Sequence, residues 1–302
     1  MKKNIPLFFL FFAAFPLFSF ETTYVEANHA KLFCQSMGEG APVIVIHGGP
    51  GLSQDYLLPG MTRLSETNQV VFYDQRCSGR TEDDGDPEKR TLSVFADDLE
   101  AVRRAFGFEK VSVVGHSWGG LVAMKYAIDY PGSVDRLVLL NSMMASSEDF
   151  AVFGQNWNRC LSPFIEELER IKKTESYLSG DPDTVETFFK TLFRPYFALS
   201  AKADEVNFRA TVEENLKWIE TWNHFQKTLF SQPFDYLPDL QKLTCPALVV
   251  HGNVDVIPLS SSENLCKNIP GSKLIVMEEC GHFPYVEKPD ELFGILNDFL
   301  DP

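Results

Sequence analysis

The sequence predicts an α/β chain: a mostly parallel, doubly wound sheet with a helical cap inserted between two of its strands. Three observations carry this. Short runs of Val, Ile and Leu recur with Gly, Pro and Asp at their ends, as in strands buried on both faces. Amphipathic stretches of helical spacing stand between them, which is the pattern of βαβ units. From about residue 143 to 240 the alternation stops, and helical spacing rich in Phe, Trp, Glu and Lys takes over. The 302 residues suit one large domain carrying an insertion, and a 44% hydrophobic content supplies its core.

Taken in order, the chain opens with Lys2 and Lys3 ahead of an apolar stretch from Ile5 to Phe20, interrupted by Pro6, Pro16 and Ser19. A short basic head and an apolar region of that length read as a secretory signal, so residues 1–20 are set apart from the fold and export is expected. A retained membrane anchor is the alternative, because no clean A-x-A pattern precedes Glu21. Residues 22–27 and 31–36 flank Asn28 and His29 and predict an antiparallel hairpin at the sheet edge. Core strands follow at 43–46, 70–73, 111–114 and 137–140, and pattern resumes with strands at 247–250 and 274–277. Helices are predicted over 92–106, 121–130 and 289–300. The expected division is therefore a core of 21–142 and 241–302, with the cap at 143–240.

The formal net charge of −15, without any long run of Lys or Arg, argues against a nucleic-acid partner. Cys34, Cys77, Cys160, Cys245, Cys266 and Cys280 form neither a CxxC nor a Cys/His cluster of metal-ligand spacing. No metal or other cofactor is expected, and both paired and free thiols stay open.

Gly115-His116-Ser117-Trp118-Gly119 stands directly after the strand at 111–114 and before the helical run at 121–130. A nucleophile elbow turns so tightly that the residues two positions to either side of its serine must be small. The turn lifts the Ser117 hydroxyl to a helix amino terminus, where the dipole favours a developing negative charge. His47-Gly48-Gly49-Pro50-Gly51 follows the first long strand, and its glycines let backbone N–H groups approach an oxyanion unobstructed. The two oxyanion donors are assigned to Gly49 and to Trp118, the residue after the nucleophile. In this arrangement the acid and the base come later in the chain. Asp255 lies just beyond the strand at 247–250 and His282 just beyond the strand at 274–277, both at the carboxyl edge that also carries Ser117. The His282 imidazole can take the serine proton while Asp255 holds the ring in the working tautomer. His47 and His251 precede glycines at strand ends and are read as structural. His116 is expected to point away from the chemistry, His29 to sit in the hairpin turn and His224 in the cap.

Together these residues resemble the prolyl aminopeptidase (proline iminopeptidase) branch of the α/β-hydrolases. The pattern H-G-G-P-G is complete at 47–51, and G-H-S-W-G-G is complete at 115–120. D-Q-R-G-x-G-R-S is represented by residues 74–81, with Cys77 in place of a glycine and Thr81 in place of a serine. Asp74 and Arg76 are expected to hold that loop by charge-assisted hydrogen bonds. The resemblance implies the α/β-hydrolase fold and an aminopeptidase that acts on short peptides without a cofactor. It also implies that cap glutamates hold the substrate's amino terminus, in the patterns W-x-x-W-E and E-N-H-Y-F. The second is absent, and the nearest match to the first, Lys217 to Trp222, is out of register. Glu220, or the pair Glu213 and Glu214, are the candidates for that ammonium.

The core motifs alone fit a second reading equally well, a carboxylesterase or lipase acting on small acyl esters, because acyl transfer uses the same triad and oxyanion hole. Epoxide hydrolases and dehalogenases of this fold carry an aspartate where Ser117 stands. An inactive binding protein on the same scaffold is the third reading, and the complete triad argues against it.

Overall fold

Valine and isoleucine at every position of a short run can only form a strand if both faces are covered, and the sheet is built that way. The computed structural model describes residues 19–301, so the expected leader falls, but for its last two residues, outside the described residues. An edge hairpin comes first, β1 (Glu21–Ala27) with β2 (Ala30–Met37). Its turn holds Asn28 and His29 at positive φ, 46° and 65°. Next come β3 (Ala41–Ile46), β4 (Asn68–Tyr73), β5 (Glu82–Asp83) and β6 (Val111–His116), then β7 (Val134–Leu140), β8 (Ala247–Gly252) and β9 (Lys273–Met277). They form one sheet in the order β1-β2-β4-β3-β6-β7-β8-β9, with the two-residue β5 beside β2. From β4 through β9 along that order all pairings are parallel, whereas β1, β2 and β4 pair antiparallel.

Alternate residues of each central strand enter opposite cores, as a period of two requires. Ile44, Val71, Val113, Leu139 and Val249 pack on one face with helices α1 (Leu92–Ala105) and α2 (Trp118–Asp129). Val45, Phe72, Val114, Leu140 and Val250 pack on the other. The result is a three-layer, doubly wound domain, the predicted fold class. The two-residue β5, Glu82–Asp83, carries no apolar signature in the sequence.

Between β7 and β8 every element is helical: α3 (Ser147–Leu161), α4 (Ile165–Lys172), α5 (Glu175–Leu178), α6 (Pro182–Phe193), α7 (Val212–Lys227) and α8 (Leu237–Leu240), with short 3-10 turns. Their starts are written in the sequence. Ser146, Thr174 and Asp181 accept from the N3 amides of α3, α5 and α6, and Thr211 with Glu214 forms a capping box on α7. After β8 come α9 (Leu259–Asn268), α10 (Pro284–Glu287) and α11 (Pro289–Leu300). All six cysteines are free thiols.

Strand order turns back at β3 and β6: the chain builds outward from β3 to β4, then returns across β3 to β6. In open α/β sheets the loops at the carboxyl ends of strands separate at such a switch point and leave a crevice. His47 to Gly51 leaves β3 there, and Ser117 leaves β6 beside it.

Candidate active site

Ser117 sits between β6 and α2 at φ 56° and ψ −122°, a conformation that L-residues rarely adopt. Its surroundings over-determine it. The Ser117 N–H donates to Leu140 O (3.1 Å), and Ser117 O accepts from the amides of Gly120 and Met143 (both 2.9 Å). The motif glycines are sterically required: a Cβ on Gly115 would stand 2.4 Å from Gly119 O, and one on Gly119 would stand 2.2 Å from Ile46 O. Gly119→Ala is therefore expected to destabilise the fold by about 3 kcal/mol or more, because backbone atoms have to move. Denaturant melting of the variant checks this, and an unchanged midpoint would contradict the packing described.

The loop from β3 lies against the elbow. A Cβ added to Gly48 would meet Tyr56 Oη at 2.8 Å and Ser117 Cβ at 2.9 Å. Gly49 has φ 133° and Gly51 φ 92°, and a Cβ on Gly51 would come within 3.1 Å of Trp218 Cα and Thr221 Cβ, so α7 roofs this loop. Among the described residues, the N–H groups of Gly49 and Trp118 have no acceptor. The Trp118 amide is the first of α2, where a helix leaves its donors unpaired. Gln75 ties the start of the glycine loop to Trp118, donating from Nε2 to His47 O (2.7 Å) and accepting from Trp118 Nε1 (3.0 Å). His47 is structural, as expected: its Nε2 accepts from Gln75 N–H (3.0 Å), and burial pushes its pKa down to about 4.

Asp255 and His282 meet at the ends of β8 and β9, with His282 Nδ1 at 2.8 Å from Asp255 Oδ2. Both side chains are buried. A carboxylate facing Nδ1 places the proton there and leaves Nε2 with its lone pair. Asp255 Oδ2 also accepts from Asn141 Nδ2 (2.8 Å), and Oδ1 accepts from Ile257 N–H (3.1 Å). Burial pushes the Asp255 carboxyl up, but the His282 ring and the hydrogen bonds from His282 and Asn141 outweigh it, and the group lies below the usual carboxylate range. Asn141 also donates to Gly281 O (3.0 Å), bracing the loop that carries His282. In the sequence Asn141 stands simply after the last residue of the 137–140 strand. The His282 N–H donates to Tyr196 O (2.7 Å), so the helical insertion helps seat the ring. No hydrogen bond links the Ser117 hydroxyl to the His282 ring in this structure. In unliganded sites that contact often tightens only around substrate.

His116 does not point away from the chemistry as expected, but packs against the base. Its ring centroid is 4.7 Å from that of His282, and its Nε2 contacts His282 O at 2.8 Å. Asp74 accepts from Gln54 N–H (2.9 Å) and from Arg80 Nε (2.8 Å), while Arg76 forms a buried two-pronged pair with Asp98 of α1 (2.6 Å each). Both residues hold their loop, as expected of them.

None of the three cap glutamates hydrogen-bonds to Ser117 or His282. Glu220 Oε1 accepts from Arg90 Nη1 (2.8 Å), and Glu213 pairs with Lys217 (3.0 Å). Both border an outer cleft of about 380 Å³ shared with Cys77, Asp83 and Arg90. Glu214 Oε2 accepts from Thr211 N–H and Oγ1 (both 2.8 Å) in the capping box, at the rim of a 20 Å³ cleft beside Gly51 and Trp218. Glu213, Lys217 and Glu220 share the α7 face turned towards residues 77–90, while Trp218, Thr221 and Phe225 take the inward face.

The model of the α/β hydrolase fold family matches residues 41–289. The chain belongs to that family. Among similar α/β-hydrolases, a proline iminopeptidase of Heyndrickxia coagulans is 28% identical over 87% of this chain and 92% of its own length. The solved structure of a proline iminopeptidase from Mycobacterium smegmatis superposes with a TM-score of 0.70 at 22% identity, over 93% of this chain and 97% of that one. An esterase from Exiguobacterium antarcticum superposes nearly as well, with a TM-score of 0.69 at 20% identity, over 93% of this chain and all of the other (100%). The likeness to both structures is one of fold. An α/β-hydrolase places its functional loops at the carboxyl edge of the sheet, where those of this chain converge.

Proposed function

We propose that this α/β-hydrolase is a serine hydrolase working through an acyl-enzyme. The observation that carries the reading is the buried 2.8 Å contact between Asp255 and His282 beside a serine held in an elbow. Ser117 Oγ attacks the substrate carbonyl carbon as His282 Nε2 takes its proton, and the oxyanion is met by the Gly49 and Trp118 amides. Collapse breaks the bond to the leaving group, which receives the proton from His282. Water then repeats the sequence on the acyl-enzyme and frees Ser117.

The substrate we assign is a short peptide, losing its amino-terminal residue, proline among the candidates. The complete H-G-G-P-G and G-H-S-W-G-G patterns and the likeness to a proline iminopeptidase along most of the chain support it. One observation favours small acyl esters instead: Glu220, Glu213 and Glu214 are engaged by Arg90, Lys217 and Thr211 and border clefts that neither Ser117 nor His282 lines. A panel of prolyl and other aminoacyl p-nitroanilides beside short-chain p-nitrophenyl esters separates the two. Turnover of an aminoacyl amide supports the peptidase, and ester turnover with no amide turnover rejects it. The charged head and apolar run of residues 1–20 support a further proposal, that the protein is exported.

The electrostatics of the other histidines give a pH expectation. Burial holds His47 near 4 and His116 near 3, and it also pushes His251 down. His47 and His116 therefore stay neutral near neutral pH, and a protonated base cannot accept a proton from serine. The fall of kcat/KM on the acid side should therefore follow a single proton, the one that occupies the base. A limb approaching second order would show that another histidine titrates with the reaction.

A further inference from the structure

Three buried hydrogen bonds connect the loop carrying Gly49 to the loop carrying His282, through two side chains that the mechanism leaves unused. The Gly48 N–H donates to Tyr56 Oη (2.5 Å), Tyr56 Oη contacts His116 Nδ1 (2.7 Å), and His116 Nε2 contacts His282 O (2.8 Å). Tyr56 and His116 are almost wholly buried, at 4% and 1% exposure. The chemistry of the ends fixes the direction of every bond. A carbonyl oxygen only accepts, so His116 Nε2 carries a proton and donates to His282 O. A neutral imidazole then has a lone pair on Nδ1, which accepts from the Tyr56 hydroxyl, whose oxygen in turn accepts from Gly48. Burial supports those states, pushing the His116 ring down to about 3 and the Tyr56 phenol well above its usual range. No member can be turned around without leaving a buried donor facing a donor.

The chain starts one residue before an oxyanion donor and ends on the main chain of the base. It passes through the residue before the nucleophile on the way. We propose that Tyr56 and His116 are positioning residues, a strut that fixes the spacing between the oxyanion loop and His282 about Ser117. The proposal rests on the serine-hydrolase reading above. Neither residue hydrogen-bonds to the Ser117 hydroxyl or to the His282 ring. Their effect is on how well two loops from β3 and β9, far apart in sequence, agree about where the tetrahedral intermediate sits, and small misplacements of such groups cost rate rather than affinity.

Labelling by a fluorophosphonate tests this without knowledge of the natural substrate, by resolving the maximal inactivation rate, kinact, from the half-saturating concentration, KI. Tyr56→Phe removes one oxygen and leaves the Gly48 N–H and His116 Nδ1 unpaired. It should lower kinact on the order of ten- to a hundredfold, with KI unchanged. His116→Asn breaks the other end and should fall comparably, and the double variant should be little slower than either, since a strut broken once is broken. Tyr285→Phe is the control. It removes a hydrogen bond to Tyr56 O (3.1 Å) that lies outside the strut and should leave kinact unaltered. Either folded variant labelling at the wild-type rate overturns the strut, as do additive losses or an equal loss in Tyr285→Phe. Failure of the wild-type protein to label at all would instead remove the serine-hydrolase reading on which the strut rests.

Discussion

Ser117→Ala is expected to lower kcat by several orders of magnitude, and His282→Ala by nearly as much, with the double variant little worse than either. The two side chains act as one unit. Without the hydroxyl there is nothing for the imidazole to deprotonate, and without the imidazole the hydroxyl is a poor nucleophile at neutral pH. What survives is the rate supplied by the Gly49 and Trp118 amides and by substrate positioning, because neither amide depends on the altered side chains. Folding is expected to persist in Ser117→Ala. The elbow is held by main-chain bonds from Ser117 N and to Ser117 O, and the half-buried residue makes no side-chain hydrogen bond. Steady-state kinetics on whichever substrate the panel identifies checks the set, alongside melting curves. Losses that multiply in the double variant would mean that the two residues act in separate steps.

Asp255→Asn is expected to cost about 10⁴-fold in kcat with little change in KM, through the tautomer of His282 rather than through its absence. Asp255 presents acceptors to three donors: His282 Nδ1 and Asn141 Nδ2 at one oxygen, Ile257 N–H at the other. An amide has one acceptor end. With its nitrogen towards His282 it forces the ring proton onto Nε2, where no base remains, and it faces the Asn141 amide donor to donor. With its nitrogen turned the other way it faces the Ile257 N–H. Either orientation leaves a buried donor unpaired, so the variant should also lose stability, by about 1–3 kcal/mol. Retention of near-wild-type kcat would show that Asp255 does not orient the ring.

Most of the architecture could be read from the sequence because it rests on local patterns. Strands covered on both faces need apolar residues at successive positions, and the runs at 43–46, 70–73, 111–114, 137–140 and 247–250 supply them. The elbow and the glycine loop were legible because tight backbone approaches exclude side chains: Gly115, Gly119 and Gly48 have neighbours closer than any Cβ tolerates. Asp255 and His282 followed from chain order and strand ends. Nothing in the sequence pattern marks Gln75, Asn141, Tyr56 or His116 as bracing the site. Their roles come from partners up to 166 residues away, and no spacing rule connects a tyrosine after one strand to a histidine before a serine. The partners of the cap glutamates were hidden for a related reason. Helical spacing shows that Glu213, Glu214 and Glu220 share a helix, but only the fold reveals Arg90, 130 residues earlier, waiting for Glu220.

The account stands on Ser117 being a nucleophile raised to reactivity by its surroundings. Mass spectrometry of the folded protein after brief exposure to a fluorophosphonate tests that directly, since an ordinary serine does not react. A single adduct on the peptide containing Ser117, abolished in Ser117→Ala and slowed greatly in His282→Ala, is the predicted result. An unlabelled protein, or an adduct that persists when Ser117 is replaced, would contradict it.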